Sequence, residues 1–166
     1  MKSTIIKILS SIAITSLATL TNANTQNVWV TTFAQGNSDF EIQNNKNQSL
    51  GIYCNTSLDT DFEHSVYFSD NKKNGENMSE LEFNRFKSSL SFKIDGKALP
   101  FPPEKTMTKV EAQAWKNFTS SIGKAQKIEI IQHGKSIASF FPTFKSMENI
   151  KNITICAPMR ELKHLK

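Results

Sequence analysis

Short runs of β-branched and aromatic residues are separated by polar segments along most of the chain after residue 27. Runs of this length and composition are typical of β-strands. Alternation over residues 50–54 puts Leu50, Ile52 and Cys54 on one face, so Cys54 is expected to point inward. The predicted strands cover residues 28–33, 40–43, 50–54, 65–68, 81–86, 90–94, 98–101, 127–132 and 135–141.

Turn-forming residues separate several of these runs. The polar residues 44–48 predict a hairpin loop. Asp95-Gly96 supplies the two positive φ angles that a type I′ hairpin turn needs. Proline lacks the backbone donor that a central strand requires, so strand 98–101, which contains Pro100, is expected at the edge of a sheet or at the end of one.

One helix is predicted over residues 109–122. Thr108 and Glu111 have the spacing of a capping box at its start. Gly123 stands where a left-handed cap is expected at its end. The apolar residues that recur at helical intervals are Ala114, Trp115, Phe118 and Ile122. This apolar face predicts a helix that packs on the sheet.

The chain after this helix predicts one further hairpin. His133-Gly134 would join its strands as a two-residue loop. Such a loop sets Ile130 opposite Ile137, and Ile128 opposite Ser139, which gives the hairpin one apolar face.

Residues 144–156 fit two patterns. Met147, Ile150 and Ile153 have helical spacing, whereas Ile153-Thr154-Ile155 suits a strand. We favour a short helix over residues 146–151. The whole pattern predicts a mainly β fold with one packed helix, an α+β domain.

The first 23 residues have the three-part pattern of a secretory signal peptide. Lys2 and Lys7 precede an uncharged apolar stretch at residues 8–20, and Thr21-Asn22-Ala23 offers small residues to a signal peptidase. The apolar stretch is shorter than the roughly 20 residues that a membrane-spanning helix needs. We therefore expect cleavage after Ala23, one secreted domain at 24–166, and no stable membrane insertion after cleavage.

Two cysteines, Cys54 and Cys156, follow this leader. An exported chain reaches an oxidising compartment, where a pair of cysteines predicts a disulfide. The abundance of Asn, Lys, Ile and Ser is typical of an AT-rich bacterial genome. We therefore expect a periplasmic or secreted bacterial protein.

The charge of the mature chain argues against nucleic acid as a partner. Loss of Lys2 and Lys7 with the leader leaves 18 basic against 15 acidic residues, a net charge of +3. This charge is scattered except in a short basic tail, which is typical of a solvated terminus but could also contact an acidic partner or membrane. The tail contains Arg160, Lys163, His164 and Lys166.

Few residues suggest chemistry. His133 lies in the predicted turn and His164 in the tail, so solvent exposure explains both. His64 ends an acidic run in which an extended backbone would place Asp59, Asp61 and Glu63 on one side. These carboxylates could attract a hard cation or act as general acid and base, but an ordinary acidic loop explains them equally well.

The chain contains none of the common catalytic or phosphate-binding motifs, and the start of a calcium loop at residues 70–76 lacks two ligands. A free, activated cysteine nucleophile is disfavoured by the expected disulfide. We therefore predict no catalytic residues, no metal site and no cofactor.

Aromatic residues beside prolines are the remaining candidates. Phe101 lies between Pro100 and Pro102, and Phe141 and Phe144 flank Pro142-Thr143. Such pre-ordered aromatics can anchor a partner, or they can close the ends of a core. Closure of the core is the favoured interpretation, and Phe101, Phe141 and Phe144 are the candidate partner contacts.

The order of these features resembles the small exported accessory proteins associated with type VI secretion. The resemblance is carried by an early tryptophan, Leu50-Gly51-Ile52-Tyr53-Cys54-Asn55, the strand at 65–68, Phe92-Lys93-Ile94-Asp95, the helical residues 115–122, the hairpin through 128–140 and the terminal Cys156. The family pattern has arginine at the places of Tyr53 and Lys93. The resemblance implies a two-cysteine periplasmic β-sandwich with a packed helix and no established catalysis.

The favoured hypothesis is a non-enzymatic periplasmic binding or accessory protein, associated with secretion, whose partner is another envelope or secreted protein. One alternative is an inhibitor or immunity protein for a secreted toxin. The other is a small hydrolase of cell-wall or carbohydrate material that uses the carboxylates of the acidic run.

Overall fold

The computed structural model describes residues 26–56, 63–70 and 87–162. The predicted signal peptide at 1–23 and the predicted strand at 81–86 lie outside these ranges. The first sheet is antiparallel, and its strands follow chain order. They are β1 (Trp29–Ala34), β2 (Asn37–Gln43), β3 (Gln48–Asn55) and β4 (Ser65–Asp70).

The second sheet is also antiparallel and has the order β6-β5-β7-β8. Its strands are β5 (Leu90–Ile94), β6 (Lys97–Pro100), β7 (Ile128–Gln132) and β8 (Lys135–Phe140). The helices are α1 (Lys109–Ile122), α2 (Phe144–Ile150) and α3 (Met159–Leu162), with 3-10 turns at Lys87–Ser89 and Lys151–Ile155. None of the helices in the described part of the chain has the length and apolarity to span a membrane.

Alternation within the strands explains the layers. In β2, Phe40 and Ile42 are buried while Asp39 and Glu41 lie on the opposite face. One hydrophobic core is shared by the buried faces of both sheets, by α1 and by residues 144–162, which we call the C-terminal segment. The predicted antiparallel β-sandwich with a packed helix is confirmed. The largest fully buried side chains are Trp29, Trp115, Phe40, Phe92, Phe118 and Phe140.

Helix α1 has the predicted bounds and the predicted capping box. The Thr108 hydroxyl accepts from the Glu111 amide at 3.2 Å, and the Glu111 carboxylate accepts from the Thr108 amide at 2.9 Å. The left-handed cap predicted at Gly123 is wrong, because this residue has a helical φ of −61°. A Cβ there would lie 3.0 Å from Ile153 Cγ2, so this glycine allows the close approach of the C-terminal segment.

The predicted turns form, with one error of register. Asp95 and Gly96 have φ of 47° and 83°, as a type I′ turn requires, and Pro100 lies in edge strand β6. The register predicted for β7 and β8 is wrong. A bulge between Ile130 and Ile131 places Ile130 opposite Ala138, and Ile128 opposite Phe140.

Two local features differ from the sequence expectation. Gln35 and Gly36 have positive φ and join β1 to β2 by a tight hairpin, which makes both strands longer toward the turn than predicted. The favoured helix at 146–151 is found as α2, which begins two residues earlier and continues as the 3-10 turn. The strand alternative at Ile153-Thr154-Ile155 is wrong.

Candidate functional site

The two cysteines are joined as the sequence predicts. Cys54 lies on the buried face of β3, and Cys156 follows the 3-10 turn; their sulfur atoms are 2.02 Å apart. The Cys156 carbonyl also accepts a hydrogen bond from Trp115 Nε1 at 2.9 Å. The disulfide therefore ties the first sheet to the C-terminal segment, and the Trp115 hydrogen bond ties α1 to the same segment.

His64 lies beside this disulfide and is fully buried. Its Nε2 donates to the Ala157 carbonyl at 3.0 Å, and its Nδ1 lies 3.7 Å from Cys156 Sγ. A carbonyl can only accept, so the neutral ring carries its proton on Nε2. Burial lowers the pKa of His64 to about 4. His64 is thus a neutral core residue at neutral pH.

The acidic run does not assemble into a site within the described residues. Asp59 and Asp61 lie outside these residues. Glu63 is exposed, and its carboxylate lies 3.5 Å from Lys105 Nζ. Among the described residues, no group of three or more His, Cys, Asp or Glu side chains is placed to hold a metal ion.

The other polar candidates lie apart. His133 is exposed in the β7–β8 turn with a φ of 48°. Of the predicted basic tail only Arg160 is described, and its guanidinium lies 3.4 Å from the Met107 carbonyl oxygen. Lys163, His164 and Lys166 lie outside the described ranges.

The three predicted partner contacts differ in exposure. Phe101 is half-buried against the core, with its ring centroid 5.7 Å from that of Phe92. Phe141 is 53% exposed and Phe144 is 93% exposed. The structure therefore leaves Phe141 and Phe144 accessible, whereas Phe101 helps to close the core.

The segment that carries the two exposed rings is well anchored. The Phe141 amide donates to Asn27 Oδ1 at 3.0 Å, and the Thr143 amide donates to the Asn27 carbonyl at 2.9 Å. Thr143 is also the N-cap of α2. Phe144 is thus exposed on ordered backbone at the start of a helix.

Phe141 also borders an open cleft of about 290 Å³ between the β2–β3 turn and β8. Lys127 Nζ lies 5.9 Å from the centroid of its ring. The cleft is lined by Asn44, Asn45, Lys46, Ser136, Ile137, Ala138, Ser139 and Phe141.

A cluster on the outer face of the first sheet was not predicted from the sequence. It consists of Asp39, Glu41 and Tyr67, and we name it the acidic face. The Tyr67 hydroxyl donates to the Asp39 carboxylate, with both oxygens at 3.2 Å. Tyr67 reaches across β3 because Gly51, its cross-strand partner, has no side chain.

The electrostatics of this cluster are perturbed. Burial raises the pKa of Asp39, the Tyr67 hydrogen bond opposes this rise, and the Glu41 charge adds to it. Burial and both carboxylates raise the pKa of Tyr67. Alternation in β2 could have placed Asp39 and Glu41 together, but the reach of Tyr67 over Gly51 requires the sheet register.

Comparison with known proteins gives one match. The sequence model of the YfjT family matches residues 27–152, which run from just before β1 into the 3-10 turn after α2. No curated protein matches the chain. No solved structure matches it either. Because the match covers most of the chain and all eight described strands, the chain belongs to the YfjT family.

Proposed function

We propose that this protein is a non-enzymatic accessory protein of the bacterial envelope that binds another exported protein. The exposure of Phe144, at 93% on anchored backbone, is the observation that carries the proposal. A large aromatic side chain in this position contributes little to the core, and ordered exposed aromatics are the anchors that protein partners use. Phe141, three residues away, extends the same apolar segment.

Export is the second part of the proposal. The disulfide fits an oxidising compartment, and the predicted signal peptide would deliver the chain there. We propose the periplasm or the medium as its location. Cell fractionation and mass analysis of the native protein test this: a chain that starts at Asn24 supports export, whereas an uncleaved cytoplasmic chain with reduced thiols contradicts it.

Site-specific photo-crosslinking in intact cells tests the binding role. A photoreactive phenylalanine analogue replaces Phe144, and in a matched control it replaces Val110, which is 80% exposed on α1. We expect one dominant adduct with an envelope or secreted protein from position 144 and none from position 110. No adduct, or the same adducts from both positions, would contradict the proposed contact.

The identity of the adduct separates the forms of this proposal. A secretion-system component would support the type VI association that the resemblance implies, whereas a secreted toxin would support an immunity or inhibitor role. The hydrolase alternative is tested with purified protein on peptidoglycan and polysaccharide. The ion pair of Glu63 with Lys105 favours a surface role for that carboxylate over a catalytic one.

A further inference from the structure

Strand β1 is an edge strand of the first sheet, and helix α2 lies beside its start. Every residue from Val30 to Ala34 is exposed, including Val30 at 53% and Phe33 at 71%. At the start of the strand the Trp29 carbonyl accepts from Asn149 Nδ2 at 2.7 Å, so the backbone groups of Trp29 point away from β2. Backbone groups of alternate strand residues point the same way, so Thr31 and Phe33 also present theirs outward.

The edges of the second sheet are protected, in contrast to β1. Edge strand β6 contains Lys97 and Pro100. Along β8, the carbonyls of Ile137 and Ser139 accept the side-chain amides of Gln48 and Asn44. Charge, proline and covering groups are the usual devices that prevent pairing with a foreign strand.

Strand β1 has none of the residue types that prevent pairing. Its sequence, Trp-Val-Thr-Thr-Phe-Ala, contains no charge, proline or glycine and is rich in β-formers. Among the residues that the structure describes, Asn149 contacts the Trp29 carbonyl and the Thr31 hydroxyl. Toward the β1–β2 turn the residues of β1 are exposed, and within the described part of the chain no backbone hydrogen bond reaches the outward groups of Phe33.

The acidic face sets the charge that an added strand would meet. Asp39 is opposite Thr32, and Glu41 is opposite Val30, on the outer face of the sheet. Asp39 and Glu41 are the only charged side chains on the outer face of the four described strands of this sheet. Strands lie about 4.8 Å apart, so a long basic side chain on the added strand can extend over Thr32 toward Asp39.

We propose that β1 binds an extended segment of the partner protein, which adds to the first sheet as a further strand. The segment carries apolar residues on the side of Phe33 and lysine or arginine on the side of Asp39 and Glu41. A second copy of this chain fits less well, because its β1 carries no lysine or arginine to meet Asp39 and Glu41. This inference rests on the proposed binding function and names the partner's chemistry.

Titration of the isotope-labelled whole chain with synthetic peptides tests the proposal by NMR. The probe is a seven-residue peptide in which valine alternates with lysine. We expect it to shift the amide resonances of Thr31 and Phe33 and to slow their hydrogen exchange. A peptide with glutamate in place of lysine should bind at least about tenfold more weakly. A valine–lysine peptide with alternate backbone amides methylated should not bind.

Two protein variants separate the backbone from the charge contribution. Phe33→Pro removes an outward N–H at an edge position that tolerates proline, and it should abolish binding. Asp39→Asn with Glu41→Gln keeps the edge, and it should reduce the preference for lysine over glutamate to about one. Should Phe33→Pro fail to fold, the methylated peptide still tests backbone pairing on the wild-type chain.

Three results would overturn the inference. Equal binding of the methylated peptide would exclude strand addition, and equal binding of the glutamate peptide would exclude the charge assignment. Concentration-dependent protection of β1 without peptide would assign the edge to a second copy. If the valine–lysine peptide does not bind but Phe144 gives a specific crosslink, strand addition is wrong and the proposed function stands. If the peptide binds but no partner is crosslinked, the result counts against the contact at Phe144.

Discussion

The imidazole ring of His64 lies flat against the indole ring of Trp115, with centroids 4.6 Å apart and an angle of 7° between the ring planes. His64 directly precedes β4 of the first sheet, and Trp115 belongs to α1. The Cys156 carbonyl accepts from the Trp115 indole, and the adjacent Ala157 carbonyl accepts from His64. One stacked pair thus joins three separate segments around the disulfide.

This stack makes stability sensitive to acid. The pKa of His64 is about 4 in the folded state, because burial disfavours the charged ring, and it is about 6.5 in the unfolded chain. Between pH 6.5 and pH 4, His64 is protonated in the unfolded chain but neutral in the folded protein. The free energy of unfolding therefore falls as the pH drops through this range. We expect a loss of roughly 3 kcal/mol between pH 7 and pH 4, measured by urea unfolding.

Two variants isolate this contribution. His64→Phe keeps an aromatic ring against Trp115 and leaves the Ala157 carbonyl unpaired, so it should lower stability at all pH values but flatten the acid slope. His133→Asn removes an exposed histidine from a turn with positive φ and should leave the slope unchanged. An NMR titration that places the His64 midpoint near 6.5 would contradict this account.

The disulfide should contribute a large share of stability. Cys54 and Cys156 are 102 residues apart. In the chain-entropy account, closure of a loop of about 100 residues contributes roughly 4.7 kcal/mol at 25 °C. We expect the Cys54→Ala, Cys156→Ala double variant to lose about 2–5 kcal/mol of unfolding free energy in urea. Reductant should destabilise the wild type and leave the double variant unchanged; equal stability of all four samples would contradict the prediction.

Local signals predicted the elements of this fold better than their contacts. The capping box at Thr108 and the Asp95-Gly96 turn involve neighbours in sequence, and both formed as expected. The β7–β8 bulge and the close approach at Gly123 depend on packing against distant segments, so sequence spacing gave the wrong register and the wrong cap.

The candidate sites show the same limit. Phe101 and Phe144 both lie near prolines, so the local sequence did not show that Phe144 is exposed and Phe101 half-buried. Asp39 and Tyr67 are 28 residues apart and meet only because β2, β3 and β4 pair in one register. The open edge of β1 likewise depends on which strands became neighbours.

The N-cap of α1 gives a local prediction. Thr108→Ala removes the acceptor for the Glu111 amide, and it should lower the free energy of unfolding by about 1 kcal/mol. Thr108→Ser keeps the hydroxyl and should cost less. Both are measured by urea unfolding at pH 7. Equal losses for the alanine and serine variants would show that the hydroxyl does not cap the helix.

The crossing of Tyr67 over Gly51 gives a test of the acidic face itself. A Cβ at position 51 would lie 1.8 Å from Tyr67 Cζ, so Gly51→Ala must displace the ring and break its hydrogen bond to Asp39. Overpacking of this kind costs about 1–3 kcal/mol. Tyr67→Phe, the matched control, loses only the hydroxyl and should cost less than Gly51→Ala in urea unfolding.

A double-mutant cycle decides whether the contact causes this loss. In the Tyr67→Ala background the ring is absent, so Gly51→Ala should cost little there and could even stabilise the strand, since alanine has less backbone freedom to lose than glycine. The coupling between the two substitutions should therefore be about as large as the penalty in the wild-type background. If Gly51→Ala lowers the free energy of unfolding equally in both backgrounds, the loss does not come from contact with the Tyr67 ring. That result would contradict the packing of Tyr67 over Gly51.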